Sequence, residues 1–225
     1  MRAISATFIT SHMLIFAPAV ALGAYLLGSI PSGYIVGRIK GVDLRTAGSG
    51  NIGATNALRV LGKKWGYFVF AADFLKGWLS VVIAVAAASR FPPEQAIVAG
   101  IIAGVFAMVG HIFPVWLGFK GGKGIATAGG ILLGLFPVWV FLCAFLVWIV
   151  LFYTTRYVSV ASIGAAISLP VSSSILMLYG RCDWRLVVIA ILMCILAVWR
   201  HKSNIERLFA GTEKKFDKKH STSRA

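Results

Sequence analysis

The chain has few acidic residues and few cysteines. Only 7 of its 225 residues are Asp or Glu, and its three cysteines, Cys143, Cys182 and Cys194, are scattered, mostly within apolar runs. An odd, scattered set of cysteines indicates neither a disulfide framework nor a metal site. Because no carboxylate cluster is present in the sequence to hold magnesium, we expect no metal and no cofactor.

The sequence also lacks the composition of a soluble domain. Hydrophobic residues make up 59% of the chain and charged residues only 13%, which is typical of an integral membrane protein. The net charge of +15 alone would suit nucleic-acid binding. The lysines and arginines nevertheless lie in short loops and in the tail between apolar runs, as the positive-inside rule predicts. We therefore expect a lipid bilayer and no nucleic acid as partner.

Six apolar segments are long enough, or nearly so, to cross a bilayer. They are residues 12–37, 66–89, 96–117, 125–153, 157–179 and 184–200. The basic residues concentrate between them, with six Lys or Arg in residues 38–64, two in residues 118–124 and eight from Arg200 onward. With six membrane crossings, the three basic regions cannot all lie on the cytoplasmic side, so the chain must cross the membrane a seventh time.

Pro137 provides the additional crossing. It divides the 29-residue run 125–153, because proline removes a backbone donor and clashes with the preceding turn. The first piece, Ile125 to Phe136, has only 12 residues and is too short to span upright. We predict an all-α integral membrane protein with about seven membrane segments, the N-terminus outside and the C-terminus inside.

This topology gives a single membrane domain, residues 1–225, of which residues 214–225 are expected to form a disordered basic tail. Four loops then share the cytoplasmic face: residues 38–64, 118–124, 154–159 and 200–213. Every distinctive motif of the chain lies on that face, where we expect the active site.

The first motif is the glycine-rich, basic segment GSGNIGATNALR, residues 48–59. Its glycines allow tight turns that leave backbone N–H groups free. We expect Thr55 or Asn56 to cap a short helix that carries Arg59 one turn along. A helix N-terminus beside a guanidinium suits a phosphate monoester, although composition alone favours a simple connecting loop equally well.

The second motif is GHIFPVWLGFKGGKGIAT, residues 110–127. It is not a P-loop, because Gly124 rather than Ser or Thr follows Lys123. Two lysines beside three glycines still favour an oxyanion-rich ligand over an apolar one. The alternative is that these lysines only set the topology and contact lipid headgroups.

Two further groups of polar residues stand out. At helical spacing His201 and Asn204 share a face, so that we predict both to point into a cytoplasmic pocket. Asp73 and Lys76, three residues apart in the second apolar segment, are predicted to neutralise one another as a structural pair, with an ion or proton path as the alternative.

Five segments together closely resemble the bacterial acyl-phosphate:glycerol-3-phosphate acyltransferase family, PlsY. They are GSIPSGYIVGR (residues 28–38), the two glycine-rich motifs, RYVSVASI (residues 156–163) and RHKSNIERLFAGTEKK (residues 200–215). The segments follow the family's order and extend over nearly the whole chain. The resemblance implies a multi-pass enzyme of phospholipid biosynthesis in the bacterial cytoplasmic (inner) membrane. Its reaction moves a fatty acyl group from acyl phosphate to the 1-hydroxyl of sn-glycerol 3-phosphate, giving lysophosphatidic acid and orthophosphate.

The resemblance also implies the site residues. The expected catalytic residues are Ser49, Arg59, Lys123, His201 and Asn204. As substrate and phosphate ligands the resemblance implies His111, Lys120, and Ser159 or Ser162. The chemistry of the two glycine-rich motifs adds Gly50, Asn51, Gly53, Asn56, Gly121 and Gly122. Which of the two serines acts, and whether Glu213 is functional or only orders the tail, stays open.

Acyl phosphate is already activated, because phosphate is a good leaving group. We therefore predict direct attack by the glycerol hydroxyl, without a covalent acyl-enzyme. The proton acceptor is open between His201, His111 and the phosphate of the acceptor, and we hypothesise the phosphate. Besides the bilayer, the expected partners are the two substrates and the soluble enzyme that produces acyl phosphate.

Three other functions fit parts of the sequence. A transporter for an anionic solute would use the glycine loops as half-helix ends, but the motifs gather on one face and no inverted repeat is visible. A scaffold that binds anionic lipid would not need Asn, His and Gly at these places. An acyltransferase with a thioester donor is consistent with the same residues.

Overall fold

The computed structural model describes residues 2–216, with side chains from Ile15 onward. Over this range the chain is helical, without strands. The α-helices are α1 (Arg2–Gly28), α2 (Ser32–Ile39), α3 (Ala54–Leu61), α4 (Lys63–Ala87), α5 (Pro93–Ile112), α6 (Ile125–Leu135), α7 (Val138–Thr155), α8 (Val158–Leu178), α9 (Trp184–Arg200) and α10 (Lys202–Phe209).

Five segments of the described chain are long and apolar enough to cross a membrane. They are Ile15–Ile39, Lys63–Ala87, Pro93–Leu117, Val138–Thr155 and Val158–Leu178. Helix α9 meets the same criterion only when it is counted together with α10, from which it is bent by 55°, and that would make six. The chain is therefore a multi-pass membrane protein, while the count of seven segments and the orientation stay predictions.

The division of the fourth apolar run at Pro137 is confirmed. Helix α6 ends at Leu135, and Pro137 is the N-cap of α7. With 11 residues, α6 is about 16 Å long, roughly half the thickness of the hydrocarbon core. It packs closely on α4, where a Cβ at Gly130 would overlap the Phe74 carbonyl.

The first apolar segment is one candidate span, Ile15–Ile39, but two helices form it. Helix α1 ends at Gly28 and α2 begins at Ser32, because Pro31 cannot donate a backbone hydrogen bond in a continuing helix. The carbonyl of Ile30, freed by this break, accepts a hydrogen bond of 2.9 Å from Lys76 Nζ of α4. The break thus anchors a buried polar group of α4.

The C-terminal end of the described chain folds back over the helix ends. We call residues 212–216 the C-terminal strap. The Lys214 carbonyl accepts a hydrogen bond of 3.1 Å from Arg59, and the Phe216 N–H donates to the Arg156 carbonyl at 2.8 Å. The Phe216 ring also packs against Phe152. The remainder of the tail predicted to be disordered, residues 217–225, lies outside the described residues.

Candidate active site

The sequence motifs meet at one cavity of about 470 Å³. Its polar wall comes from the glycine-rich loop, α3, the loop before α6, the start of α8, α10 and the C-terminal strap. The predicted site residues that line it are Ser49, Gly50, Asn51, Gly53, Asn56, Arg59, His111, Lys123, Ser159, Ser162, His201 and Asn204. Residues 150 positions apart in the chain therefore share one site.

Asn56 holds the glycine-rich loop in shape. Its buried side chain accepts a hydrogen bond of 2.8 Å from the Ser49 N–H. Its amide donates to the carbonyls of Leu44 (3.2 Å), Ala47 (2.9 Å) and Asn51 (2.8 Å). All hydrogen-bonding groups of the Asn56 amide are used by the loop, so its role at the cavity is to shape the wall.

The expectation that Thr55 or Asn56 caps α3 is wrong, because Gly53 is the N-cap and no side chain caps it. The Asn51 side chain instead accepts from the Gly53 N–H at 2.8 Å, immediately before the helix. Gly48 and Gly50 have positive φ angles of 66° and 70°, which L-residues with side chains rarely adopt. The loop is thus a tight, internally bonded turn at the N-terminus of α3.

Two cations of the predicted set face the cavity. Arg59 is partly buried on α3 and donates to the strap carbonyl of Lys214 at 3.1 Å. Lys123, just before α6, donates a hydrogen bond to Asn204 Oδ1 of α10. Burial lowers the pKa of the Lys123 ammonium to about 8, against the raising effect of Glu213.

Glu213 joins three elements at the cavity. Its Oε1 accepts hydrogen bonds from Asn204 Nδ2 at 2.6 Å and from Ser159 Oγ at 2.9 Å, and its Oε2 accepts from Arg207 Nε at 2.8 Å. Burial raises the pKa of this carboxyl, but the three hydrogen bonds outweigh burial and lower it overall. Glu213 is therefore an ionised organiser of the wall. The sequence left the role of Glu213 open and did not indicate Arg207 as a site residue. The contacts of Glu213 with Ser159 and Arg207 depend on how the strap folds back, which residue spacing does not reveal.

The two candidate serines of α8 have different surroundings. Ser159 Oγ donates to Glu213 and so belongs to the polar network. Ser162 Oγ accepts a hydrogen bond of 3.3 Å from the Trp148 indole of α7. Both line the cavity, Ser159 on its charged side and Ser162 beside an aromatic wall.

His201 lies at the bend between α9 and α10 and is only 3% exposed. Its Nδ1 is 2.7 Å from the Ala197 carbonyl, and because a carbonyl can only accept, we assign the ring proton to Nδ1. The neutral ring then has an unprotonated Nε2 that can accept a proton.

Asp73 and Lys76 form the predicted buried pair, with Lys76 Nζ 2.9 Å from Asp73 Oδ1. The same oxygen accepts a hydrogen bond from Ser32 of α2 and lies 3.7 Å from His111 Nδ1 of α5. Asp73 and His111 both line the cavity. The sequence did not predict that this pair adjoins the site.

Lys120, Gly121 and Gly122 are not brought to the cavity. Lys120 is exposed, while the Gly121 and Gly122 N–H groups donate to the Ile112 and His111 carbonyls at 2.9 and 3.2 Å. The Arg200 guanidinium donates to both glycine carbonyls, at 3.2 and 3.0 Å. These two glycines therefore fasten the loop to α5 and α9 and hold Lys123 in place.

The cavity also reaches the lipid-facing surface. Phe70 of α4 lines it and is 49% exposed on the outside of the helix bundle. From Phe70 a row of rings continues through Phe74, Phe141 and Phe145, with centroids 6.2, 6.4 and 6.0 Å apart in turn. The sequence could not locate this apolar side among the helices, because aromatic residues occur throughout the membrane segments.

The charges around the cavity favour an anionic ligand. Four cations line it: Arg59, Lys123, Arg207 and Lys214. The carboxylates are Glu213, already bonded to Arg207, and Asp73, already paired with Lys76. Among the side chains that the structure describes, those of residues 15–216, no group of three or more His, Cys, Asp or Glu could hold a metal ion. A phosphorylated ligand with an apolar tail matches both the polar wall and the aromatic opening.

Comparison with known proteins identifies close relatives. The model of the family described as "Glycerol-3-phosphate acyltransferase" matches residues 18–211. The glycerol-3-phosphate acyltransferase of Aquifex aeolicus is 44% identical over 193 residues, which cover 86% of this chain and 95% of that protein. The enzyme of the same name from Synechococcus elongatus is 45% identical over 215 residues, 94% of this chain and all (100%) of that protein.

Two crystal structures of PlsY, an integral membrane glycerol 3-phosphate acyltransferase, are similar to this chain. The glycerol 3-phosphate form has a TM-score of 0.80 and 43% identity, covering 89% of this chain and 96% of that chain. The lysophosphatidic acid form has a TM-score of 0.78 and 41% identity, covering 92% and 99%.

Proposed function

Since the chain belongs to the glycerol-3-phosphate acyltransferase (PlsY) family of integral membrane enzymes, we propose that its acyl donor is acyl phosphate. The reaction moves the fatty acyl group to the 1-hydroxyl of sn-glycerol 3-phosphate and releases lysophosphatidic acid and orthophosphate. The observation that carries the proposal is the cavity itself, in which Arg59, Lys123 and the glycine-rich loop face an opening beside the exposed Phe70.

The polar wall suits two phosphorylated substrates. Both the donor and the acceptor carry phosphate, and the guanidinium of Arg59 and the ammonium of Lys123 bind phosphate oxygens by charge-assisted hydrogen bonds. The backbone N–H groups at the start of α3 add uncharged donors. Partly shielded from water, these groups also stabilise the charge that develops on the reacting acyl oxygen and on the leaving phosphate.

The apolar side suits the fatty acyl chain. A donor dissolved in the bilayer reaches the cavity beside Phe70 without leaving the membrane, and its chain lies along the rings that follow on α4 and α7. Binding of the chain then fixes the carbonyl next to the acceptor hydroxyl, and this positioning lowers the entropic cost of the reaction.

Direct attack by the acceptor hydroxyl is the mechanism that we infer. Ser159 is the serine with a carboxylate partner, but Glu213 is ionised, has a lowered pKa and already accepts from Asn204 and Arg207. Such a carboxylate is a weak base for activating a serine nucleophile. The good leaving group of acyl phosphate makes an acyl-enzyme unnecessary.

The proton of the attacking hydroxyl has two acceptors in this scheme, the acceptor's own phosphate and His201. We propose the phosphate, whose second pKa is about 6, and a role for His201 in orienting substrate. His201→Gln, with kcat within about tenfold of the wild type, supports this assignment, whereas a loss of kcat of about 100-fold or more with binding intact assigns the base to His201.

The test of function uses purified, detergent-solubilised protein with glycerol 3-phosphate and either palmitoyl phosphate or a palmitoyl thioester. We expect lysophosphatidic acid and stoichiometric orthophosphate from palmitoyl phosphate alone. Arg59→Ala and Lys123→Ala should abolish product, and Lys120→Ala, on the exposed side of the same loop, is the matched control. Product from the thioester alone would contradict the proposed donor.

The remaining expectations follow from the same proposal. The protein works as a single domain in the bacterial cytoplasmic membrane, with the cavity on the cytoplasmic side. There it meets glycerol 3-phosphate and the soluble enzyme that produces acyl phosphate.

A further inference from the structure

We propose that Asp73 is a positioning residue for acyl transfer, acting through the ring of His111 on the loop that carries Lys123. The inference rests on the function proposed above and assigns a task to a buried charge that the reaction scheme does not use. Asp73 is 3% exposed and lies on α4, whereas Lys123 lies in the loop between α5 and α6.

Asp73 is the centre of a polar layer under the cavity. Its Oδ1 accepts from the Ser32 hydroxyl of α2 and pairs with Lys76 at 2.9 Å. Lys76 in turn donates to the Ile30 carbonyl at 2.9 Å, at the break between α1 and α2. The carboxylate is therefore fixed by Lys76 of its own helix and by Ser32 at the break between α1 and α2.

His111 faces this carboxylate from α5. Its Nδ1 is enclosed, has no hydrogen-bond partner among the described residues and lies 3.7 Å from Asp73 Oδ1. At that separation in a low-dielectric interior, a carboxylate attracts an N–H dipole and orients the ring. Asp73 thus determines which way the imidazole points.

The imidazole in turn contacts the loop. Gly122 packs so closely on the ring that a Cβ at this position would overlap His111 Nε2, and the Gly122 N–H donates to the His111 carbonyl at 3.2 Å. The next residue is Lys123, whose ammonium reaches the cavity. A rotated ring would therefore displace the backbone that carries the phosphate-binding cation.

A simpler role for Asp73 is to neutralise Lys76, and the two roles predict different kinetics. Asp73→Asn alone leaves a buried lysine without its partner, which destabilises the fold under either role. The double variant Asp73→Asn/Lys76→Met removes both charges together. If neutralisation were the whole role, this variant would regain wild-type kinetics, and that result would overturn the proposal.

With the positioning role, we expect the double variant to fold and to show a KM for one or both phosphate substrates raised about tenfold, with kcat changed less than about threefold. Adding His111→Ala should then change kcat/KM by no more than about twofold, because Asp73 acts through that ring. If the effects of His111→Ala and the double variant multiply instead, the proposal is wrong.

Gly122→Ala tests the same pathway from the loop side and remains informative if the double variant does not fold. The methyl group of the new alanine should displace the His111 imidazole and raise KM about tenfold. In the His111→Ala background, where the imidazole is absent, Gly122→Ala should leave KM unchanged. An effect of Gly122→Ala that persists undiminished in His111→Ala would overturn the proposal.

Ser80→Ala is the matched control, since Ser80 is buried on the same helix and donates to the Lys76 carbonyl at 2.7 Å. It should leave KM, kcat and the thermal unfolding midpoint unchanged. Wild type and Ser80→Ala are assayed first, and absence of product from both means that the proposed function has failed. In that case calorimetry measures glycerol 3-phosphate binding by the same variants. Failure of the proposed function and failure of the positioning role are thereby distinguished.

Discussion

The Lys123 ammonium is partly withdrawn from water, and this gives the reaction a pH dependence at the scale of one residue. Burial lowers its pKa to about 8, so the free enzyme loses this positive charge as pH rises through about 8. A neutral amine binds phosphate poorly, and kcat/KM for the phosphate substrates should therefore fall on the alkaline side of pH 8. The pH profile of initial rates measures this directly.

Lys123→Arg is the control for this assignment, because a guanidinium keeps its charge over the whole range. The variant should lose some activity from its different shape but should show no alkaline fall near pH 8. An unchanged alkaline limb in Lys123→Arg would attribute the fall to another group.

Glu213 is the residue that binds the polar wall together, through Ser159, Asn204 and Arg207. Glu213→Gln has the same shape but no charge, and its single amide oxygen cannot accept the hydrogen bonds that both carboxylate oxygens accept from Ser159, Asn204 and Arg207. We expect kcat/KM to fall about tenfold or more, since Asn204 and with it Lys123 lose their fixed positions. Steady-state assays of the purified variant give this value.

The matched substitution is Glu206→Gln, on the exposed face of α10. It removes the same charge from the same region and should retain wild-type kinetics. Equal losses in both variants would mean that net charge, and not the hydrogen bonds of Glu213, determines the activity.

Residue types and residue positions differed in how well they could be predicted. Arg59, Lys123, His201 and Asn204 were predicted from their motifs, and all four line the cavity. Lys120 belongs to the same motif as Lys123 and points outward, because the direction of a side chain in an irregular loop depends on contacts with α5 and α9. The motif therefore indicated the loop but could not distinguish its two lysines.

At the scale of the helices, α1 and α5 pack through small residues. A Cβ at Gly110 of α5 would overlap the Tyr25 carbonyl of α1, and Ala24 and Ala107 are buried nearby. Such close contact between helices depends on van der Waals packing and tolerates no added volume. Gly110→Val should destabilise the fold by about 2 to 3 kcal/mol, seen as a lower thermal unfolding midpoint in detergent.

Gly23→Val provides the comparison on α1 itself, where a Cβ would meet nothing within 4 Å. Its unfolding midpoint should equal that of the wild type. A similar loss in both variants would trace the effect to helix propensity and would contradict the packing argument.

The sequence predicted where the membrane helices lie, but it predicted only some of the breaks within them. Pro137 divided the long apolar run as expected, because a proline in a 29-residue run leaves two separate hydrogen-bonding segments. Pro31 divides the first apolar run into two helices, a break for which no prediction was made, whereas Pro18 and Pro170 lie inside helices. What differs at Pro31 is the buried Lys76, which donates a hydrogen bond to the freed Ile30 carbonyl. Local sequence does not reveal this tertiary contact.

At the scale of the whole molecule, contacts in the cavity constrain the topology. Lys123 donates to Asn204, so the loop before α6 and the start of α10 must lie on the same side of the membrane. The number of crossings between these residues is then even, and α7, α8 and α9 alone would give an odd number. This parity argues that the short α6 counts as a crossing, as the placement of basic residues predicts.

Cysteine labelling tests this topology. In a background with Cys143, Cys182 and Cys194 replaced, single cysteines are introduced at exposed positions 64, 94, 120, 181 and 202. With the N-terminus outside and seven crossings, a membrane-impermeant maleimide added to intact cells should label only positions 94 and 181. Positions 64, 120 and 202 should react only after permeabilisation.

Positions 181 and 202 report on α6, because they follow it in the chain. If α6 entered and left on one side, position 202 would be labelled in intact cells while position 120 stayed protected. That result would put Lys123 and Asn204 on opposite faces of the bilayer and would contradict the cavity itself. Labelling of position 94 as well as 181, with 64, 120 and 202 protected, places Arg59, Lys123 and Asn204 together on the cytoplasmic side, where a phosphorylated water-soluble acceptor can enter.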